Sequence, residues 1–459
     1  MKKVFQTGAA LSIFILALVS LTGQPALAAQ NDHSLMIEGP IKTGPEATVK
    51  CLECHEEHAA DFMKTTHWTW SQEQELHGKT VNRGKKNAIN NFCTSIESNW
   101  PRCTSCHAGY GWKDASFDFS NPQNVDCLVC HDTTGTYVKE PTGAGHVAER
   151  VDLLYVAQNV GKPSRFNCGT CHFYGGGGDA VKHGDLDSSM EYPSRSIDVH
   201  MDTEGNDFAC QECHQTENHA IPGNSLGVSP GGSNHLECAS CHTTEPHEQS
   251  RLNQHATKVA CQTCHIPYYA KEVPTKLEWD WSTAGQDIAD AKDELGMHAY
   301  NKKKGNFKWG KMVVPEYLWY NGKGDAYNKG EKIDPSKVTK LAYPLGSIDD
   351  VNAKIYPFKV HRGKQIYDTK NKIFLTAKVF GEGGYWTDYD WDKAARLGTA
   401  ASGLPYSGEY GFAPTEMYWR INHMVSPKEA SLGCLDCHGD NSRLDWGKLG
   451  YQADPMGGK

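Results

Sequence analysis

The chain has one long apolar run, close to its first residue, with the pattern of an export signal. Lys2 and Lys3 precede an apolar stretch of 13 residues, 9–21, which is followed by Ala26-Leu27-Ala28. Positive charge, apolar stretch and small-residue site succeed one another in this order in secretory signal peptides. A bilayer-spanning helix needs about 20 apolar residues, so an uncleaved membrane anchor is the less favoured alternative. We therefore expect cleavage after residue 28 or 29, no transmembrane anchor and a periplasmic location.

Strand-like patterns are concentrated in residues 266–433. Residues 311–320 and 372–380 are rich in β-branched and aromatic side chains, which predicts strands. The Gly- and Lys-rich cluster 321–324 predicts a turn.

Composition excludes several broad classes of protein. The chain is 38% hydrophobic and 22% charged, with a mean hydropathy of −0.59, which argues against disorder and against a membrane protein with many spans. The formal charge of −9 argues against a nucleic-acid partner, because phosphate binding needs a basic face.

The cysteines follow one repeated pattern. Of 17 cysteines, 16 belong to eight copies of Cys-x-x-Cys-His. Chance would give about 0.03 copies at this composition, so the repetition carries a meaning. The paired cysteines are Cys51 and Cys54, Cys103 and Cys106, Cys127 and Cys130, Cys168 and Cys171, Cys210 and Cys213, Cys238 and Cys241, Cys261 and Cys264, and Cys434 and Cys437.

This pattern suits covalent haem attachment. Two thiols about one helical turn apart can each form a thioether with a haem vinyl group, and the histidine that follows can bind the iron. Zinc sites also use Cys-x-x-Cys pairs, but they do not require a histidine after every pair. Disulfides form after export, yet such short loops would connect no distant parts of the chain. We therefore predict eight covalently bound c-type haems as the cofactors.

The number of haems sets the expected fold. The mature chain offers roughly 54 residues per haem, so porphyrins must supply much of the apolar interior. We expect a multihaem cytochrome c fold, mainly short α-helices and loops around a covalent haem array, with a minor β component in the haem-free segment. The expected division is a signal peptide in residues 1–28, a seven-motif haem array in 29–265, a haem-free segment in 266–433, and the eighth motif with the C-terminal tail in 434–459. The haem-free segment is either a separate module or a wrap over the array, and the motif at Cys434 favours the wrap.

Axial ligands decide what each haem can do, because two strong ligands make an electron carrier and an open position permits substrate chemistry. The candidate fifth ligands are the motif histidines His55, His107, His131, His172, His214, His242, His265 and His438. The best-placed sixth ligands outside the motifs are His67, His183, His200, His219, His247, His255 and His423. His58 and His235 are the alternatives, and His33 is expected on the surface.

Two features stand apart from the repeated motif. Cys93 is the one cysteine outside the motif. Three interpretations stay open: a buried inert residue, an intermolecular disulfide partner, or a reactive group beside the haem at Cys103 and Cys106. The second is the run of four glycines at 175–178, which lets the backbone approach a flat ring closely. Lys182 follows this run, and taken alone it is expected to be solvated like most lysines.

The motifs together resemble a known family. Eight Cys-x-x-Cys-His motifs, the segment GGGGDAVKHGDLDSSM at 175–190, CQTCHIP at 261–267 and PTKLEWDWSTAG at 274–285 are similar to those of octahaem tetrathionate reductases. That family belongs to a wider group of multihaem nitrite reductases and hydroxylamine oxidoreductases. The resemblance covers most of the mature chain.

The resemblance implies a periplasmic respiratory enzyme with one unusual haem. Lys182 would be the lysine ligand of the haem at Cys103 and Cys106, His107 would be displaced from that iron, and the opposite face would be open. The seven other haems would each take two histidines. The chain lacks the Cys-x-x-Cys-Lys motif of pentahaem nitrite reductases, and no tyrosine can be identified that would cross-link a haem as in hydroxylamine oxidoreductases.

The function implied by the resemblance is reduction of tetrathionate to thiosulfate at the lysine-ligated haem with an open face, with nitrite and hydroxylamine as secondary candidate substrates. Lys182 and Cys93 are the residues expected to act at the open haem, and a membrane-bound quinol-oxidising cytochrome is the expected electron donor. Local positive charge for an anion is sought among the bases near the second motif: Lys85, Lys86, Arg102 and Lys113. The alternative function is pure electron transfer with every haem six-coordinate.

Overall fold

The computed structural model describes residues 32–92, 94–232 and 235–457. The predicted signal peptide and Cys93 lie outside the described residues. Within the described ranges, no helix is long and apolar enough to cross a membrane.

Short helices coincide with the Cys-x-x-Cys-His motifs. The α-helices are α1 Gly44–Leu52, α2 Glu56–Phe62, α3 Thr66–Thr69, α4 Trp100–Cys103, α5 Leu128–His131, α6 Leu153–Gln158, α7 Arg165–His172, α8 Cys210–Cys213, α9 Ser250–His255, α10 Cys261–His265, α11 Tyr385–Asp388, α12 Trp391–Ser402 and α13 Cys434–Cys437. The 3-10 helices are His33–Leu35, Thr104–Cys106, Pro122–Asn124, Ser188–Met190, Cys238–Ser240, Trp281–Thr283 and Lys428–Ala430.

The fourth motif shows why such a short helix forms. Helix α7 begins after Ser164, whose backbone N–H donates to the side chain of Asn167 at 2.8 Å. In return the Ser164 hydroxyl accepts from the backbone N–H of Asn167. These reciprocal bonds satisfy amides that a helix start leaves unpaired. The helix then presents Cys168 and Cys171 one turn apart.

A mixed β-sheet occupies most of the last third of the chain. The strands are β1 Gln72–Leu76, β2 Lys79–Arg83, β3 Thr275–Asp280, β4 Tyr300–Asn301, β5 Gly305–Gly310, β6 Glu316–Tyr320, β7 Gly324–Ala326, β8 Thr339–Pro344, β9 Lys354–Asp368, β10 Ile373–Phe374 and β11 Tyr410–Arg420. In the described part of the chain β1 pairs with β2, and the other nine strands form one sheet. Its order is β4-β5-β3-β9-β11-β8-β7, and β6 and β10 also pair with β9. The β3–β9 and β11–β8 pairs are parallel and the others are antiparallel.

The expected fold class is wrong in its balance of helix and strand. The structure has 23% helix and 19% strand, with a large nine-stranded sheet among the described residues, so it is not mainly short helices with a minor β component. The predicted strands at 311–320 and 372–380 contain only β6 and the two-residue β10. The sheet is organised instead by the long pair β9–β11, in which Phe358 lies opposite Arg420. Such pairing joins distant residues and leaves little signal in either segment alone.

The central strand also supports the haem-motif region. Residues 355–361 of β9 are all buried, as expected for a strand covered on both faces. The Asn91 amide donates to the main-chain oxygen of His361 at 2.7 Å. The Thr263 hydroxyl, inside the seventh motif, donates to the oxygen of Ile355 at 2.8 Å. Strand β9 therefore fixes two remote parts of the haem-motif region against one another.

Candidate active site

Most motif histidines face a second histidine at nearly constant distance. The ring centroids lie 6.0–6.5 Å apart in each pair. The pairs found among the described residues are His55 with His33, His131 with His219, His172 with His67, His214 with His423, His242 with His200, His265 with His247, and His438 with His255. Two imidazoles bound on opposite sides of one metal, each nitrogen about 2 Å from it, would place their centroids about 6.3 Å apart. The spacing therefore fits an iron atom between the rings.

Hydrogen bonds orient these rings so that Nε2 stays available. The Nδ1 atoms of His131 and His214 lie 2.8 Å from the main-chain oxygens of Gly161 and Pro222. Further Nδ1 contacts involve His247 with Asn253, His255 with Arg251, His423 with Asp185, and His438 with Asp454. A partner on one ring nitrogen fixes the tautomer and leaves the other nitrogen to bind a metal.

The structure brings six of the seven predicted sixth ligands beside motif histidines, and His183 lies elsewhere. The His183 ring packs edge-on against Trp419, with 5.1 Å between centroids. His55 instead faces His33 at 6.4 Å, and His58 lies closer still, at 5.2 Å. His33 was expected on the surface, because nothing in the sequence around it indicates the contact with His55.

Contacts between motif cysteines connect neighbouring attachment sites. Four pairs of thiols are in hydrogen-bonding contact: Cys51 with Cys127, Cys106 with Cys171, Cys168 with Cys210, and Cys238 with Cys261. Four further pairs are close enough for their charges to interact: Cys130 with Cys168, Cys213 with Cys238, Cys213 with Cys241, and Cys264 with Cys437. The motifs thus follow the order first, third, fourth, fifth, sixth, seventh, eighth, with the second motif joined to the fourth.

The protein around the sixth motif has no side-chain core of its own. Residues 235–259 are all described, and none of them is buried. They nevertheless form the 3-10 helix Cys238–Ser240 and helix α9, and they carry His242, His247 and His255. Packing of side chains normally supplies most of the stability of such short helices. The segment therefore fits a chain that packs around bulky covalent groups.

The second motif departs from this pattern at its histidine. His107 is fully buried among aromatic rings, with centroid distances of 5.1 Å to Trp68, 5.3 Å to Trp70 and 4.9 Å to Trp112. Its Nε2 atom, the one left available in the paired histidines, lies 2.7 Å from the main-chain oxygen of Trp68. Burial lowers the pKa of His107 to about 3, so the ring is neutral. This imidazole is held as part of an aromatic core.

Lys182 lies within electrostatic range of the attachment site of that same motif. Its positive charge acts on the Cys106 thiol, and its Nζ atom lies 4.9 Å from the centre of a Trp419 ring. Burial, together with the charge of Lys85, lowers the pKa of Lys182 to about 7. A substantial fraction of the amine is therefore neutral at neutral pH, as coordination to a metal requires.

The four bases considered for anion binding occupy different places. Lys85 is close enough for its charge to affect both Lys182 and Cys106. Lys86 lies over the Phe119 ring at 4.3 Å, and Arg102 lies over Trp386 at 5.3 Å. Lys113 lines a cavity of about 310 Å³ beside α4.

His361, on strand β9, is not among the site residues predicted from the sequence. The side chain is fully buried, and neither ring nitrogen has a hydrogen-bond partner among the described residues. Its ring lies 4.5 Å from that of Phe92, which in turn contacts Trp419 beneath Lys182. Burial, and then the charges of Lys359 and Lys276, hold the pKa of His361 well below its usual value. A buried imidazole with unused nitrogens is a candidate for contact with a ligand.

The fold has a close counterpart among solved structures. The structure matches the crystal structure of octahaem cytochrome c from Shewanella oneidensis with a TM-score of 0.90 and 60% sequence identity, over 93% of this chain and 98% of that chain. The chain belongs to the octahaem cytochrome c family. Residues 276–441 also match the family described as cytochrome c, bacterial. An uncharacterized protein from Archaeoglobus fulgidus is 25% identical over 245 residues, 42% of this chain and 82% of that protein.

Family membership confirms the resemblance drawn from the motifs. This member of the octahaem cytochrome c family is a multihaem c-type cytochrome with covalent c-type haems. The match to the bacterial cytochrome c family falls largely on the nine-stranded sheet and reaches the eighth motif. The matched segment thus contains nearly the whole sheet and, at its C-terminal end, one attachment motif.

Proposed function

We propose that this octahaem cytochrome is a periplasmic reductase with one catalytic haem, bound at Cys103 and Cys106. The observation that carries the proposal is the contrast between His107 and Lys182. His107 turns its Nε2 atom to the Trp68 carbonyl, while the partly neutral amine of Lys182 lies within electrostatic range of Cys106. Lys182 would then be the ligand on one side of that iron, with the other side open to substrate.

The same proposal assigns the ligands of the other seven haems of a set of eight. Six of these haems would each be bound by a motif histidine and by the predicted distal histidine whose ring faces it. The sequence alone did not determine which distal histidine belongs to which motif. The haem at Cys51 and Cys54 would take His55 and His33, because their separation of 6.4 Å lies within the range of the other pairs. His183 would then serve as a packing partner of Trp419.

The haems would supply electrons one at a time, and one of them would offer an open iron position to the substrate. Reduction of tetrathionate takes up two electrons, breaks the central S–S bond and yields two thiosulfate ions, with no net uptake of protons. Nitrite takes up six electrons and eight protons to give ammonium and two water molecules. Hydroxylamine takes up two electrons and three protons to give ammonium and water. The contacts between motif cysteines connect the second attachment site to a series of seven others. Such a series suits multi-electron reactions, because electrons could reach the second site from the other haems.

The chain's own groups near Lys182 suit an anionic substrate. Lys85 contributes positive charge at the site, which favours an anion in a protein of net charge −9. The unused ring nitrogens of His361 would donate a hydrogen bond to the substrate and pass on protons where the reaction consumes them. Cys93 would act on the substrate side, where a thiolate can exchange with a sulfur chain.

The electron donor and the compartment belong to the same proposal. A membrane-bound quinol-oxidising cytochrome would supply electrons to a periplasmic reductase, and residues 1–28 would direct export. The alternative function, pure electron transfer with all haems six-coordinate, requires His107 to leave its aromatic core.

The test is steady-state reduction of tetrathionate, nitrite and hydroxylamine, compared by kcat/KM at matched donor potential. A reductase turns over at least one of them and shows a substrate-dependent change in the ferric spectrum of one haem. A pure electron carrier turns over none and its ferric spectrum does not respond. Retention of full tetrathionate activity in a Cys93→Ser variant would remove the role given to Cys93 alone.

A further inference from the structure

Two buried side chains of the sheet hold the main chain of the loop that carries Lys182. Lys359, on β9, is fully buried. Its Nζ atom donates to the main-chain oxygens of Val181 at 2.9 Å and Lys182 at 3.1 Å, and to the Thr275 hydroxyl at 2.5 Å. These three oxygens are the hydrogen-bond partners of the Lys359 amine.

Thr275, the first residue of β3, extends this contact. Its buried hydroxyl accepts from Lys359 and donates to the oxygen of Ala180 at 2.6 Å. The oxygen of His183 lies 3.4 Å from the same hydroxyl. Four consecutive carbonyls, 180–183, therefore face this pair of side chains.

The loop needs such support because its conformation is strained. Ala180 has a φ of +56°, in the left-handed region that residues with a side chain rarely adopt. Beyond it the Lys182 side chain lies against the glycine run: a Cβ atom at Gly175 or Gly176 would come within 3.2 Å of Lys182 side-chain carbons. The loop backbone and the surface of the glycine run, which carries no side chains, together fix the direction in which the Lys182 side chain extends.

We propose that Lys359 and Thr275 form a clamp that positions Lys182 as the ligand of the haem at Cys103 and Cys106. The inference rests on the proposed function, because it assigns a task to residues behind the proposed ligand. By fixing the carbonyls on both sides of Lys182, the clamp keeps the amine at the attachment site while His107 remains in its aromatic core. Lys359 and Thr275 are positioning residues that act through Lys182.

The first test is a Lys359→Met variant of the haem-loaded protein. Methionine keeps much of the apolar stem and removes the amine with its three hydrogen-bond contacts. We expect the ratio of lysine-ligated to unligated haem at neutral pH to fall about ten-fold or more. The change would be read from the optical and electron paramagnetic resonance (EPR) signals of one haem, with the signals of the bis-histidine haems unchanged.

Lys271 offers a matched control elsewhere in the fold. Its Nζ atom also donates to two consecutive carbonyls, Ser196 at 2.9 Å and Ile197 at 3.0 Å, and to the Ser426 hydroxyl at 2.8 Å. A Lys271→Met variant therefore removes the same kind of clamp from a different loop. It should leave the signal of the lysine-ligated haem as in the wild type.

Thr275 provides a milder pair of variants if Lys359→Met does not fold. Thr275→Val removes the hydroxyl and keeps the shape, whereas Thr275→Ser retains the hydroxyl. The valine variant should weaken lysine ligation and the serine variant should restore it. A structural defect unrelated to the hydroxyl would affect both.

Lys182→Met, measured in parallel, separates the clamp from the proposed function. If Lys182→Met alters one haem while Lys359→Met and Thr275→Val leave it unchanged, the clamp is overturned and the proposed function stands. If Lys182→Met alters no haem, both are overturned. Loss of lysine ligation in Lys359→Met and Thr275→Val, with retention in Lys271→Met and Thr275→Ser, supports the clamp.

Discussion

The Nε2 atom of His107 lies 2.7 Å from the main-chain oxygen of Trp68. A neutral imidazole has one N–H donor, and the other ring nitrogen of His107 has no hydrogen-bond partner among the described residues. The motif histidine of the second attachment site is thus committed to an aromatic core, and the ligand position that it would have filled falls to Lys182 in our proposal.

The partner of His55 can be identified by substitution of its two neighbours. In a His33→Ala variant we expect one haem to change from bis-histidine to high-spin ferric, because the 6.4 Å ring separation matches that of the other pairs. His58→Ala should leave all ligation intact, since its ring lies too close, at 5.2 Å. EPR spectroscopy distinguishes the two variants. Loss of a ligand in His58→Ala and none in His33→Ala would reverse the assignment.

Substitution of the adjacent residues Lys85 and Lys86 distinguishes an effect of charge at the Lys182 site from a general effect of net charge. Lys85→Ala should raise the KM for tetrathionate and nitrite about ten-fold, because the charge of Lys85 reaches the Lys182 site. The KM for uncharged hydroxylamine should stay near that of the wild type. Lys86→Ala, which removes a charge lying over Phe119, is the control and should change little. Equal effects of both substitutions would count against a substrate contact for Lys85.

Substitution of His361 should change kcat by different factors for the three substrates. His361→Asn should lower kcat for nitrite and hydroxylamine about 100-fold or more, since both reactions consume protons. The kcat for tetrathionate should change only a few-fold, because cleavage of its S–S bond needs no net proton. Substitution of the exposed His298 by Asn serves as the control. A uniform loss on all three substrates would show that His361 has no special part in proton delivery.

Substitution within the buried ion pair of Lys139 and Asp126 should lower the stability of the protein. Lys139 bonds Asp126 at 2.8 Å with both side chains almost fully buried, and it also donates to the oxygen of His107. Lys139→Met should lower the free energy of unfolding by about 3–5 kcal/mol, because it leaves a buried carboxylate without its counter-charge. The exposed pair of Lys50 and Glu53 is the control, and Lys50→Met should cost less than about 1 kcal/mol. Guanidinium titrations that give equal losses would contradict the account.

The sequence could predict the attachment sites because their chemistry is local. The two thiols and the histidine of each motif lie within five residues, so no knowledge of the fold is needed to recognise them. The distal histidines were harder, and His33 was missed because its contact with His55 spans 22 residues of chain without a motif. Lys359, Thr275 and His361 were missed for a further reason: strands β3 and β9 bring them to the Lys182 loop from more than 90 residues away. The sheet itself depends on the same long-range pairing.

The most direct test of the central claim is the ferric EPR and optical spectrum of Lys182→Met beside that of the wild type, each with and without nitrite or tetrathionate. The account predicts that the substitution alters the signal of one haem and leaves seven bis-histidine haems unchanged. It also predicts that the substrate-dependent spectral change of the wild type is lost or altered together with turnover. A variant whose eight haems keep their wild-type ligation and whose activity is intact would contradict it.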